Sequence, residues 1–143
     1  MLHYDAATME HYPIDAVGLE ERASSFAKRS IKNQSKLEAL VWALRMTDRR
    51  TLEGADSPGK VEQLCLKARH PFAAKLADLC AKDPYFQSLD SLPRPAAVCV
   101  YPDLVPVARK VLDGSGIHIA AVSTAFPSGR LSLDLKLKDV ERA

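Results

Sequence analysis

The segment "AAVCVYPDLVPVARKVLDGSGIHIAAVST" (96–124) constrains the fold more than any other part of the chain. Ala96 to Val100 is small and apolar on both faces, and a polar break follows at Tyr101-Pro102-Asp103. The next stretch reads as a helix, with Asp103 as its expected cap and Pro106 in the first turn, where no backbone donor is lost. Gly114 and Gly116 stop it. Ile117 to Thr124 is then a second apolar run. A fully apolar strand, a helix and another fully apolar strand predict a parallel sheet with covered faces, so the fold class is α/β.

The rest of the chain adds mainly helices. Asp15 to Arg29 carries Val17, Leu19, Ala23, Phe26 and Ala27 near one helical face, and Asn33 to Arg45 sets Leu37, Leu40, Val41 and Leu44 at helical spacing. Met46 to Leu52 reads as a short, polar strand. Ser57 suits a cap and Pro58 a first helical position, with Val61, Leu64, Cys65 and Ala68 as the stripe behind them. Pro71 ends that helix. Phe72 to Ala81 reads as another short helix, and Lys82 to Pro95 as a loop. Residues 1–14 show no period and read as a mobile arm. The tail "RLSLDLKLKDVERA" supports two readings. Leu131, Leu133, Leu135 and Leu137 alternate as in a strand, whereas Leu133, Leu137 and Val140 suit a helix.

Composition removes several function classes. The 143 residues suit one domain, and 47% are apolar, enough for a core. Twenty basic against 18 acidic residues leave a net charge of +2, which demands neither nucleic acid nor an anionic membrane. Cys65, Cys80 and Cys99 are far apart and form no C-x-x-C pair, which speaks against a disulfide frame or zinc site and fits a reducing compartment. No apolar run approaches the roughly 20 residues of a membrane span. The N-terminus lacks a basic start followed by an apolar stretch, so the expected location is the cytoplasm. His3, His11, His70 and His118 show no metal spacing, and His118 is expected to be a satisfied core residue. "EGADSPGK" (53–60) does not have the order of a phosphate-binding loop.

Parallel α/β folds place ligands at the carboxyl ends of their strands. Three places qualify: Asp48 and its neighbours, Cys99 to Tyr101, and Thr124 to Ser128. A partly buried Asp48 beside Arg49 and Arg50 can orient a substrate hydroxyl, or it can be a loop aspartate paired with an arginine. Cys99 between two valines is chemistry or an inert apolar filler. Phe126-Pro127 walls a pocket or turns the chain. Lys136 and Lys138 would form imines if desolvated, but their segment is charged and reads as solvated surface. Ser128-Gly129 is a modest phosphate candidate if it opens a helix.

"DRRTLEGADSPGKVEQLCLKA", "AAVCVYPDLVPVARKVL" and "IAAVSTAFPSG" occur in this order with gaps that resemble the N-terminal half of the deoxyribose-phosphate aldolases. The resemblance runs from about Ser30 to Ala143 and is closest to the longer form of that family, with extra helices before the first strand. It implies a (β/α)8 TIM barrel, of which this chain would supply about three parallel strands with their helices plus an N-terminal helical extension. Residues 1–29 would be the arm and helix, and 30–143 the barrel part. The implied reaction is reversible cleavage of 2-deoxy-D-ribose 5-phosphate to D-glyceraldehyde 3-phosphate and acetaldehyde through a lysine Schiff base, with no metal or other cofactor. The implied small-molecule partner is a phosphosugar.

Carried onto this sequence, the resemblance makes Asp48 a substrate-facing aspartate at the end of strand one. It makes Cys99 a second-strand cysteine near the active site, prone to attack by aldehyde products. Leu52 and Phe126 become pocket-lining residues, and the tail becomes a helix. The family pattern after the aspartate is usually Leu-Thr-Thr-Leu, whereas this chain has Arg49-Arg50-Thr51-Leu52. The imine lysine, its partner lysine and the proton-transfer aspartate have no counterpart in the 143 residues, and neither Lys136 nor Lys138 fills the Schiff-base position. The expectation is therefore an α/β piece that is inactive alone. The alternative is a non-catalytic paralogue acting as a binding or assembly partner, as a homo-oligomer or with a complementing chain.

Overall fold

The computed structural model describes residues 14–143, which fall into two compact units divided after Asn33. The arm expected over residues 1–14 lies, but for Ile14, outside the described residues. In the first unit, helix α1 (Ala16–Ala27) starts where the Asp15 carboxylate accepts the Gly18 amide at 2.9 Å. None of its residues is buried.

The second unit runs α2 (Asn33–Arg45), β1 (Asp48–Arg50), α3 (Pro58–Arg69), α4 (Ala74–Lys82), α5 (Pro84–Gln87), β2 (Ala97–Val100), α6 (Val105–Leu112), β3 (His118–Ala121) and α7 (Leu133–Arg142). The strands form one parallel sheet in the order β1-β2-β3. This is the α/β arrangement expected of part of a barrel. Rungs run across all three strands: Asp48, Ala97 and His118 are level, as are Arg50, Cys99 and Ala120.

Helices α3 and α6 cover one face. Val98 and Val100 of β2 are fully buried there with Val61, Cys65 and Ala68 of α3, Ala108 and Leu112 of α6, and Ile117. Alternation along β2 produces this, since every second side chain points to the same face. The small residues Ala68 and Ala108 let the helices approach closely. Arg69 closes the layer by donating to the Val111 carbonyl at 2.6 Å, which ties the last turn of α3 to that of α6.

Several boundaries differ from expectation. The strand foreseen over Met46 to Leu52 shrinks to Asp48–Arg50, although the Thr51 amide still donates to the Cys99 carbonyl at 3.2 Å. Lys82 to Pro95 is not all loop. Asp83 accepts the Tyr85 amide at 2.9 Å and Pro84 takes the first helical position, giving α5. Asp103 does not cap α6. It lies inside a 3-10 turn (Pro102–Leu104), and α6 opens behind Leu104 without a side-chain cap. Ile117 to Thr124 is a strand only over His118–Ala121. His118 is exposed rather than a core residue, because Ile117 and Ile119 on either side of it take the core face. The tail is helical, as the resemblance implied. Ser128-Gly129 precedes α7 by several residues and so opens no helix.

The β1–α3 connection is held by a buried carboxylate. Asp56 accepts from the Thr51 hydroxyl at 2.8 Å and the Glu53 amide at 3.0 Å, and pairs with the Lys60 ammonium. Burial works to raise its pKa, but the Lys60, Glu53 and Thr51 partners outweigh burial and hold the carboxyl below its ordinary value.

Two predictions follow from this packing. Leu112→Ala, in the α3–α6 layer, should destabilise the unit by about 2–4 kcal/mol in urea unfolding. Asp56→Asn should destabilise at neutral pH. A depressed folded-state pKa contributes stability above the unfolded carboxyl value that is lost as pH falls through the folded value. The gap between wild type and variant should therefore close in acid, which a pH series of melts would show.

Candidate functional site

With Val98, Val100 and Ile119 committed to the helices, alternation sends Asp48, Arg50, Ala97, Cys99, His118 and Ala120 to the opposite face. Asp48 opens β1 rather than closing it, and it is exposed rather than partly buried. The three-residue strand leaves it at the first rung, beside Ala97. Arg50 stands one rung further on, level with Cys99.

Cys99 is 8% exposed and outside the valine core. Burial pushes its thiol pKa up, the Asp48 carboxylate raises it further, and the Arg50 guanidinium lowers it. Asp48, Arg50 and Cys99 lie on the same face of the sheet, within two rungs of one another. A thiol with a raised pKa is mostly protonated at neutral pH and a poor nucleophile there.

The carboxyl ends of β2 and β3 open into a cleft of about 470 Å³. Tyr101, Val122, Phe126, Leu131 and Leu135 supply apolar wall, and Lys138 and Arg142 of α7 supply cations. Lys138 is exposed, as its charged segment implied, and borders the cleft. Tyr101 also donates to the Leu52 carbonyl at 3.3 Å, so it links the loop after β1 to the cleft. Phe126 follows a strained corner. Thr124 and Ala125 have φ of 59° and 61°, a left-handed conformation that non-glycine residues adopt at a cost. The corner is held by its surroundings: Asp139 of α7 accepts the Ala125 amide at 3.1 Å, and the Ala125 carbonyl accepts the Gly129 amide at 2.9 Å.

The expected site residues therefore fall into two groups. Asp48 and Cys99 share the open face of the sheet. Phe126 lines the cleft; Leu52 is not among its lining residues, and only its backbone carbonyl accepts from Tyr101. Tyr101 closes the expected Cys99 to Tyr101 candidate place, whereas Asp139 is not singled out by sequence. Tyr101 carried a signal, since it has the same strand parity as Cys99 and sits where the polar break begins. Asp139 carried none, because its partner lies 14 residues away across a turn. Among the described residues, no group of three His, Cys, Asp or Glu side chains is placed to hold a metal ion. No helix among them is long and apolar enough to cross a membrane.

Three parallel strands in sequence order, with helices on one face and Asp48, Arg50 and His118 among small side chains on the other, fit part of an α/β barrel-like fold. The amino-acid sequence is more particular: it is similar to that of deoxyribose-phosphate aldolases. Over 119 residues, 82% of this chain, it is 36% identical to the deoxyribose-phosphate aldolase of Mus musculus. Over the same length it is 33% identical to that of Homo sapiens and 32% to that of Bos taurus. The chain spans 36% of the length of each of these relatives. No protein-family model matches it.

The shared patch is testable through its thiol. Asp48→Asn should speed alkylation of Cys99 by iodoacetamide near pH 8, because it removes a charge that disfavours the thiolate. Arg50→Thr should slow it. Peptide mass spectrometry would follow Cys99, with buried Cys65 as the internal reference; its thiol is pushed up by burial alone.

Proposed function

We propose that this chain supplies the first strands and part of the substrate wall of a deoxyribose-phosphate aldolase. The reaction is reversible cleavage of 2-deoxy-D-ribose 5-phosphate to D-glyceraldehyde 3-phosphate and acetaldehyde through a lysine imine. The observation that carries the reading is the identity of 32–36% to three such aldolases across 82% of the chain. The geometry supports it: Asp48 and Cys99 share an open sheet face, and Phe126 lines a cleft at the strand ends.

In this reading Asp48 accepts a hydrogen bond from a substrate hydroxyl. Tyr101 holds the Leu52 loop at the mouth, and Asp139 steadies the corner that aims Phe126. The imine lysine comes from outside these residues. None of the ten lysines lies in β1, β2 or β3, and Lys60 is engaged by Asp56. An imine turns a carbonyl into an electron sink, and its amine must sit where the carbonyl carbon is presented. The domain boundary proposed near residue 30 and a cytoplasmic location belong to the same reading.

A second reading is a non-catalytic partner that pairs with another chain. It is favoured by β1 and β3 each having one unpaired edge among the described residues, and by exposed Leu133, Leu137 and Val140 on α7. Unpaired edges and apolar patches are what partner chains cover.

The purified 143-residue chain should show no turnover of 2-deoxyribose 5-phosphate and no borohydride-trapped adduct. Turnover, or a trapped lysine within it, would overturn that part of the proposal. Replacing the matched residues of the mouse aldolase with these should give an active chimera, in which Asp48→Asn lowers kcat/KM about 100-fold through lost orientation. An inactive but folded chimera would favour the partner reading.

A further inference from the structure

Two cavities away from the strand-end cleft play no part in the aldolase reading. The first is small, about 120 Å³, and cationic. Helix α3 ends at Arg69 and His70, and Arg94 stands three residues before β2 begins; all three side chains line this pocket. Arg69 is half-buried and donates to the Val111 carbonyl at 2.6 Å, and Arg94 donates to the Ser115 carbonyl at 3.3 Å. Neither guanidinium meets a carboxylate among the described residues, and no acid lines the pocket. Each keeps most of its donors for another acceptor.

The second cavity is larger, about 320 Å³, and almost wholly apolar. Helical spacing creates it. Leu37, Leu40, Val41 and Leu44 form a stripe on α2, and Leu76, Leu79 and Cys80 form one on α4. Leu40, Leu76 and Leu79 remain about half exposed, so the groove between the stripes is open. Phe72 and Pro93 line both cavities, and there the groove meets the cationic pocket. Asp83 borders the groove at the far end of α4, about 13 Å along the helix from its start. Its carboxylate already accepts the Tyr85 amide at 2.9 Å.

An apolar groove that opens at one end onto two guanidinium groups and an imidazole matches a ligand with an apolar body and one anionic end. A carboxylate meets the planar fork of an arginine with two parallel hydrogen bonds. The Asp83 carboxylate repels the same group at the opposite end, so the charges set one orientation. We propose that the two cavities together form a site for a medium-chain fatty acid, its carboxylate among Arg69, His70 and Arg94 and its chain between α2 and α4. The site is separate from the substrate cleft and goes beyond the aldolase reading.

The test reads binding to the 143-residue chain, so aldolase turnover or its absence leaves the result unaffected. Decanoate, titrated below its micelle concentration into the 15N-labelled protein, should saturably shift the amides of α2 and α4. It should also slow iodoacetamide alkylation of Cys80, which lines the groove, and leave Cys99 on the sheet unchanged. Affinity should rise from hexanoate to octanoate to decanoate, by roughly tenfold for each two methylenes buried. Acetate should shift nothing in the groove, and 1-decanol should bind more weakly than decanoate. Arg69 ties α3 to α6, so the charge is tested at the other two positions. His70→Gln with Arg94→Gln should weaken decanoate about fivefold, as loss of exposed charge pairs implies, and leave 1-decanol unchanged. Leu79→Asn, at an exposed position, should weaken both. Absence of saturable shifts in the wild type would overturn the proposal, as would equal binding of decanoate and 1-decanol, or undiminished decanoate binding by the folded double variant. A ligand-free dimer in which Cys80 is already protected would overturn it too, and would assign the groove to a second copy of the chain.

Discussion

Everything in the second unit leans on the alternation of four residues, Ala97 to Val100. Val98 and Val100 are fully buried against α3 and α6, and the same pleat turns Ala97 and Cys99 the other way. β2 is also the only strand bonded on both sides among the described residues. One strand thus sets the helix layer, the register of its neighbours and the face on which chemistry can occur. A slip of one residue would bury Cys99 with the helices and turn the valines out, so the apolar face fixes the register.

The site is assembled from parts that have little to do with one another in sequence. The open face supplies charge through Asp48 and Arg50, and the strand ends supply shape through Tyr101 and Phe126. The connection between them is a single phenolic hydrogen bond to the Leu52 carbonyl. The Thr124-Ala125 corner shows how the rest of the unit sustains an unfavourable backbone. Two non-glycine residues in left-handed conformation persist because α7 offers Asp139 to one of them. Helix α7 is therefore part of the site's scaffold, although all three of its leucines are exposed.

Much of this was legible in the residues because the punctuation is strong. Ser57-Pro58 announced α3, and the helical spacing of Leu37, Leu40, Val41 and Leu44 gave α2 its bounds. The same grammar, an acidic cap followed by proline, stands at Asp83-Pro84, but a helix of four residues carries no periodic stripe and so looks like loop in sequence. Asp103 misled for a related reason. It is a good cap by type, yet Pro102 draws it into a 3-10 turn one step too early. His118 was misplaced because an apolar run does not reveal which of its members faces the helices. Asp48 and Cys99 could be nominated from sequence, but the companionship of Arg50 could not, since it depends on β1 lying beside β2 in a particular register.

The spatial order of the strands repeats their order along the chain. Among these three strands, each new one finds its partner already made and none has to insert between earlier ones. A ribosome releasing this polypeptide from its amino end could therefore lay the sheet down like courses of brick, with α3 and α6 roofing each course soon after it is set.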